Sequence, residues 1–89
     1  MHFSWAVPID SAVWDDGIVL SHRQSGDTYL FSDVAKDILA FCLANHRFSD
    51  KDLIELTKNS FEDSLQVEAF VMSLLESLIE KDLIATELQ

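Results

Sequence analysis

Ser64 is the side chain whose surroundings in the sequence most suggest chemistry. It stands between Asp63 and Leu65, ahead of an amphipathic stretch that runs to Leu78. A serine hydroxyl at the start of such a helix could carry a phosphopantetheine arm, which would make the chain a carrier of thioesters. The same position also suits a helix cap, because a serine or aspartate oxygen accepts hydrogen bonds from the N–H groups of the first helical turn.

The order of the predicted elements argues against the carrier. The Asp-Ser-Leu stretch resembles that of the acyl carrier proteins, whose serine follows a long loop and opens a central helix of a four-helix bundle. In this chain predicted strands precede the helices, and Ser64 opens the last helix. We therefore expect Asp63 or Ser64 to cap that helix, and a carrier modified on Ser64 is an alternative function.

The remaining reactive side chains form no set whose spacing indicates catalysis. His2, His22 and His46 fall on three different predicted elements, so neither a metal site nor an acid–base pair can be argued from them. Cys42 is the only cysteine, and a lone thiol on the apolar side of a helix is more often a small core side chain than a nucleophile. We expect a protein without catalytic residues, metal or cofactor.

The composition and charge of the chain indicate which classes of partner it is expected to bind. The 89 residues suffice for one domain, residues 1–89, and 48% of them are hydrophobic. Sixteen acidic and six basic side chains give a net charge of −10, so nucleic acid and anionic membrane surfaces are repelled on balance. No apolar run approaches the roughly 20 residues that span a bilayer, and the N-terminal residues do not resemble a secretory signal. These features favour a cytoplasmic protein.

The first third of the chain predicts a three-stranded antiparallel meander. β-Branched and aromatic residues at 13–14 and 18–20 flank an Asp-Asp-Gly turn at 15–17, and Asp-Gly between such runs is a strong hairpin signal. A second turn at 24–27 contains a glycine that can take positive φ, and it leads to a third strand over 28–31.

The two ends of the chain predict less regular segments. Phe3, Trp5 and Val7 alternate with smaller residues, so the N-terminal segment adds a strand to the meander or lies across it, ending at Pro8. The last apolar pair, residues 83–84, predicts a short strand or a docked tail.

Three helices follow the meander. The first is capped by Ser32 and ends at about Ala44, and the second is preceded by Ser49 with Asp52 three positions later, a variant of the capping box, and ends near Asn59. Strands followed by helices indicate an α+β fold with the helices on one face of a small sheet. The pattern is winged-helix-like, so a winged-helix nucleic-acid-binding protein is a second alternative, which the charge disfavours.

The third strand is a candidate binding element. Thr28 and Leu30 face one side of the sheet and Tyr29 and Phe31 the other, so apolar side chains occupy both faces. A small meander has an open edge, whose unpaired N–H and C=O groups can dock an extended peptide. The apolar face at Tyr29 and Phe31, with two tryptophans nearby in the sequence, could instead pair two chains as a homodimer.

The third helix is apolar over more than its core stripe, which consists of Val67, Phe70, Val71, Leu74 and Leu78. Beyond that stripe lies a helix shoulder of Glu68, Met72, Leu75 and Ile79, at positions i, i+4, i+7 and i+11. A groove for a partner, and a surface covered by the sheet or by the C-terminal tail, are both consistent with this pattern.

Several of these segments together resemble the PqqD family. The resemblance rests on residues 14–20 and 25–31, on the helix that carries Ala35, and on residues 78–84, and it covers nearly the whole chain. The Ser-Gly-Asp-Thr turn within the second segment is similar to the branch called the HPr-rel-A system peptide chaperones. Before its last apolar pair this chain has Lys-Asp, where the family often has a glycine.

The resemblance implies a RiPP recognition element, a non-enzymatic peptide-binding chaperone. Such a module captures the leader region of a ribosomally made precursor peptide as a strand added to the sheet edge, packs it against the last helix, and presents it to a modifying enzyme. The implied peptide-binding residues are Thr28, Tyr29, Leu30, Phe31, Glu68, Met72, Leu75 and Ile79. The implied partners are the precursor peptide and a peptide-modifying enzyme or HPr kinase-related protein.

Overall fold

The computed structural model describes residues 1–32 and 34–87, which form two three-stranded antiparallel sheets and three α-helices. In chain order the elements are β1 (His2–Trp5), β2 (Ile9–Trp14), β3 (Gly17–His22), β4 (Thr28–Ser32), α1 (Val34–Ala44), β5 (Arg47–Ser49), α2 (Asp50–Thr57), a 3₁₀ turn (Lys58–Ser60), α3 (Ser64–Glu80) and β6 (Ile84–Glu87). The predicted α+β fold, a meander followed by three helices, is confirmed, and the second sheet is an addition to it.

The meander has the predicted order, with β3 between β2 and β4. Trp14 pairs with Gly17, so the first turn has two residues and the glycine is already part of β3. In the second turn Gly26 has a φ of 79°, as its sequence context predicted. Ile18 and Leu20 are fully buried, and they anchor the inner face of the sheet against α1.

The N-terminal strand does not join the meander, so the first of the two alternatives expected from the sequence is wrong. β1 lies between β5 and β6 and pairs antiparallel with both. Phe3, 2% exposed, pairs with Phe48, and the two rings stack with centroids 6.2 Å apart. Alternation determines which side chains of a strand are buried, but it does not identify the neighbouring strands. The predicted short strand at the C-terminal end is confirmed, because β6 begins at Ile84.

The helix termini largely follow the predicted caps. The Asp52 N–H donates to Ser49 Oγ (3.1 Å) and the Ser49 N–H donates to Asp52 Oδ2 (3.1 Å), which completes the capping box of α2. α2 ends at Thr57, and the 3₁₀ turn carries the chain through the predicted end. Ser32, the predicted cap of α1, is the last residue of β4, and residue 33 lies outside the described residues.

α3 ends in a Schellman motif. The Asp82 N–H donates to the Ile79 carbonyl (3.0 Å) and the Leu83 N–H donates to the Leu78 carbonyl (3.0 Å). Asp82 has a φ of 60°, in the left-handed region that glycine favours. The aspartate therefore occupies a helix C-terminal position that usually carries a glycine.

The core lies between the inner face of the meander and the helices, and it includes residues of the second sheet. α3 contributes the buried side chains of Val67, Val71, Leu74, Leu75 and Leu78. Within the described part of the chain, no helix is long and apolar enough to cross a membrane.

Candidate functional site

β4 is an edge strand, and no strand of the described chain lies along its outer side. Next to the turn, the His22 N–H donates to the Asp27 carbonyl oxygen (2.8 Å). In an antiparallel ladder such bonded pairs recur at every second position, so Tyr29 and Phe31 direct their backbone groups toward β3. The backbone groups directed toward the open edge are those of Thr28, Leu30 and Ser32.

The side chains of β4 alternate between the core and the solvent. Tyr29 and Phe31 are half-buried and pack against the core, whereas Leu30 is 70% exposed. The face at Tyr29 and Phe31 is therefore covered by the chain's own core, and it is not the open apolar surface expected for a homodimer contact. Trp5 is likewise engaged, because its Nε1 donates to the Cys42 carbonyl oxygen (2.8 Å). Pairing of two chains through their β4 edges stays a prediction.

An open groove of about 550 Å³ separates the β4 edge from α3, and we call it the β4–α3 groove. The residues that line it are Leu30, Phe31 and Ser32 of β4, Val34 and Ala35 of α1, Phe61, and Phe70 and Leu74 of α3. The rings of Phe61 and Phe70 lie 5.4 Å apart, centroid to centroid. Because all but one of the lining side chains are apolar, the groove can hold an apolar side chain beside a backbone edge that can bind an extended chain.

One line of residues on α3 borders the groove and continues beyond it. Phe70, Leu74, Ser77 and Lys81 follow the spacing i, i+4, i+7 and i+11, so they share a face of the helix and its C-terminal cap. Lys81 Nζ donates to Ser77 Oγ (2.7 Å) and lies 5.5 Å from the centroid of the Tyr29 ring. The line therefore connects the apolar part of the groove to the start of β4.

The helix shoulder lies on the opposite flank of α3. At about 100° per residue, its centre is roughly half a turn from the line through Phe70. Met72 and Ile79 are 41% and 39% exposed, Glu68 is exposed, and Leu75, 1% exposed, belongs to the core. The structure therefore does not bring the shoulder and β4 together in one groove. Periodicity shows how wide the apolar arc of a helix is, but packing decides which element covers each side of it.

The groove contains residues that were not predicted from the sequence to bind: Ser32, Val34, Ala35, Phe61, Phe70 and Leu74. Phe70 and Leu74 belong to the predicted core stripe, and the structure places them where that stripe meets the open groove. Phe61 fits no helical pattern, and an aromatic residue just ahead of a helix cap is the signal that could have identified it.

Asp63 and Cys42 have structural roles, and Ser64 is not the cap of α3. Asp63 caps α3, with its Oδ1 accepting from the Leu65 N–H (2.9 Å), and Ser64 is the first helical residue. Cys42 is fully buried, and burial raises the pKa of its thiol to about 12. Among the described residues, no three His, Cys, Asp or Glu side chains lie close enough together to hold a metal ion.

The similarity of this chain to known proteins was found in its structure. No protein-family model matches the chain, and no curated protein matches it. TbiB1, solved in complex with the TbiA(beta) leader peptide, has a TM-score of 0.82 and 21% sequence identity over 97% of this chain and 99% of that chain. Lasso peptide synthetase B1, complexed with the leader peptide, has a TM-score of 0.76 and 26% identity over 94% of this chain and 98% of that chain. Over nearly its whole length, the chain therefore has the fold of proteins solved in complex with leader peptides.

Proposed function

We propose that this chain is a peptide-binding chaperone that captures the leader region of a ribosomally made precursor peptide by strand addition to β4. The observation that carries the proposal is the open backbone edge at Thr28, Leu30 and Ser32 beside the apolar β4–α3 groove. An added strand satisfies these backbone groups, and its alternate side chains enter the groove. The similar structures, each solved with a leader peptide, support this kind of occupant.

The two walls of the site have different roles in this proposal. Main-chain hydrogen bonds to β4 supply much of the affinity, and they are tolerant of peptide sequence. The rings of Phe61 and Phe70, together with Leu74, form the pocket that selects an apolar anchor. The domain performs no catalysis itself, and it presents the bound peptide to a modifying enzyme or to an HPr kinase-related protein.

Chemical-shift mapping tests the proposal. The ¹⁵N-labelled chain is titrated with synthetic peptides that correspond to the N-terminal parts of short reading frames neighbouring its gene. The largest changes are expected at the amides of Thr28, Leu30 and Ser32 and along α3 near Phe70 and Leu74. Changes that are concentrated in α2 or in the first hairpin turn, and absent from β4 and α3, contradict this site.

Backbone methylation of the peptide provides a matched control. N-methylation at the alternate positions that face β4 should abolish binding, because each methyl group removes a donor of the added ladder. N-methylation at the intervening positions should have a smaller effect. Equal loss in both series argues against strand addition.

The two alternative functions predict other results. A carrier gains the mass of a phosphopantetheine arm on Ser64 after treatment with a phosphopantetheinyl transferase, and a winged-helix nucleic-acid binder shows salt-dependent DNA binding. We expect neither, because strands precede the helix that Ser64 opens and the net charge is −10.

A further inference from the structure

Lys81 is a cation held in a defined position at one end of the line that borders the β4–α3 groove. Its Nζ donates to Ser77 Oγ (2.7 Å) and lies 5.5 Å from the centroid of the Tyr29 ring. The Schellman motif formed by Asp82 and Leu83 holds the backbone that carries it. The ammonium group is therefore ordered before any ligand arrives, which lowers the entropic cost of using it for recognition.

Among the described residues, no carboxylate lies within ion-pair distance of this cation. Arg23, Arg47 and Lys58 each pair with an acidic side chain, whereas Lys36, Lys51 and Lys81 make no ion pair within residues 1–32 and 34–87. Lys36 Nζ donates instead to the Asp15 carbonyl oxygen (2.8 Å), so its position is fixed by the first hairpin turn. The chain has sixteen acidic side chains for six basic ones, so an unpaired lysine beside the groove is chemically distinct from its surroundings. Its remaining donors are available to an acceptor on a ligand.

The spacing along β4 relates this cation to the apolar pocket. Phe31 lines the apolar part of the groove, and Tyr29, two residues earlier, lies beneath Lys81. Residues i and i+2 of a strand point to the same side and lie about 6.7 Å apart. A peptide strand added to β4 has the same repeat, so two of its alternate side chains face the pocket and Lys81 respectively.

We propose, building on the function proposed above, that Lys81 forms a second subsite that selects a carboxylate side chain two residues from the apolar anchor of the bound peptide. The peptide class recognised is therefore an extended segment in which an apolar residue and an aspartate or glutamate are separated by one residue. The overall charge of the protein repels acidic peptides. Lys81 therefore selects peptides by where the acidic residue lies in the segment more than by their total charge.

A purely structural role for Lys81 predicts different behaviour. A cation near the C-terminal end of a helix interacts favourably with the helix dipole, and an ammonium group over an aromatic ring adds packing and cation–π attraction. Both roles affect folding stability, but neither depends on the charge of the peptide. Peptides that differ only in the charge of one side chain therefore distinguish peptide recognition by Lys81 from its contribution to folding stability.

The test uses acetylated nine-residue peptides of threonine and valine with a central leucine. Glutamate, glutamine or lysine is placed two residues before or two residues after the leucine, which covers both strand directions. Affinity is measured by calorimetry for the wild-type chain, for Lys81→Gln and for Lys81→Glu. The wild-type chain should bind the glutamate peptide of one direction about 5- to 10-fold more tightly than its glutamine counterpart, as expected for one charge-assisted contact.

The variants provide the decisive comparison. Lys81→Gln should lose the preference for the glutamate peptide over the glutamine peptide, and Lys81→Glu should prefer the lysine peptide more strongly than Lys81→Gln does. If the wild-type chain binds glutamate and glutamine peptides equally in both directions, the carboxylate subsite is wrong and the peptide-binding function stands. If none of the peptides and no leader peptide binds the folded wild-type chain, the proposed function is wrong and the subsite with it. Circular dichroism monitors the folding of each variant. If Lys81→Glu does not fold, the affinities of Lys81→Gln for the glutamate and glutamine peptides test the carboxylate subsite.

Discussion

A Cβ atom added to Gly17 would lie 3.0 Å from the carbonyl oxygen of Phe31, on the adjacent strand. Gly17 does not have positive φ, so a turn conformation does not explain the glycine. It is explained by the close approach of the β4 backbone at the point where Phe31 enters the β4–α3 groove.

Gly17→Ala should therefore destabilise the protein by about 1–2 kcal/mol, because β4 must move outward to admit the methyl group. The same displacement should weaken peptide binding, since it moves the edge strand. Gly26→Ala is the control: its Cβ meets nothing within 4 Å, and its φ of 79° gives strain alone. Chemical denaturation and calorimetry measure the two effects, and equal binding by both variants would contradict the role of Gly17.

Phe70 and Met72 form a matched pair for the two flanks of α3. Phe70 lines the groove, and Met72 is 41% exposed on the opposite flank. We expect Phe70→Ala to reduce affinity for a leader peptide about tenfold or more, because it removes the anchor pocket. Met72→Ala should leave affinity within about twofold. Affinity is measured by calorimetry on folded variants. A larger loss of affinity for Met72→Ala than for Phe70→Ala would indicate that the peptide binds at the helix shoulder.

Asp63 and Ser64 can be separated by their effect on stability. The Asp63 side chain accepts the capping hydrogen bond from the Leu65 N–H, so Asp63→Ala should lower the free energy of unfolding by about 1 kcal/mol. Ser64→Ala should change it by less than about 0.5 kcal/mol, because its hydroxyl caps nothing. Urea denaturation of the two variants checks this, and a larger loss for Ser64→Ala would contradict the assignment of the cap.

Asp82 offers a stabilising substitution. Its φ of 60° costs energy in a residue with a Cβ atom. Asp82→Gly removes this strain and keeps both hydrogen bonds of the Schellman motif, which are made by backbone atoms. We expect a gain of about 0.5–1 kcal/mol in the free energy of unfolding, partly offset by the greater freedom of glycine in the unfolded chain. A lower midpoint of thermal unfolding would show that the aspartate side chain itself stabilises the turn.

Cys42 should resist alkylation in the folded protein. Burial raises the pKa of the thiol from 9.0 to about 12, and only the thiolate reacts. Near pH 8 the raised pKa lowers the thiolate fraction about 1,000-fold relative to an ordinary thiol. Labelling by iodoacetamide should therefore be slow in buffer, accelerate as pH rises toward 12, and become fast in denaturant. Fast labelling of the native chain at pH 8 would contradict the buried position of the thiol.

The sequence by itself determined the local features of this protein. The glycine of the second turn, the capping box at Ser49 and Asp52, and the core stripe of α3 all depend on residues close together in the chain. Each could be predicted because the hydrogen-bonding or packing preference of a short segment is sufficient to produce it. The open edge also followed from the sequence, because a three-stranded meander must have outer strands.

Only the tertiary structure decided which elements are neighbours. β1 pairs with β5 and β6 through contacts such as that of Phe3 with Phe48, far along the chain. The groove is completed by Phe70 rather than by Leu75, and Lys81 lies over Tyr29. Periodicity specifies the side of an element that is buried, but the partner on that side depends on how all the apolar faces are covered together. The strand half of the candidate site could therefore be predicted from sequence, whereas its helix half required the packed fold.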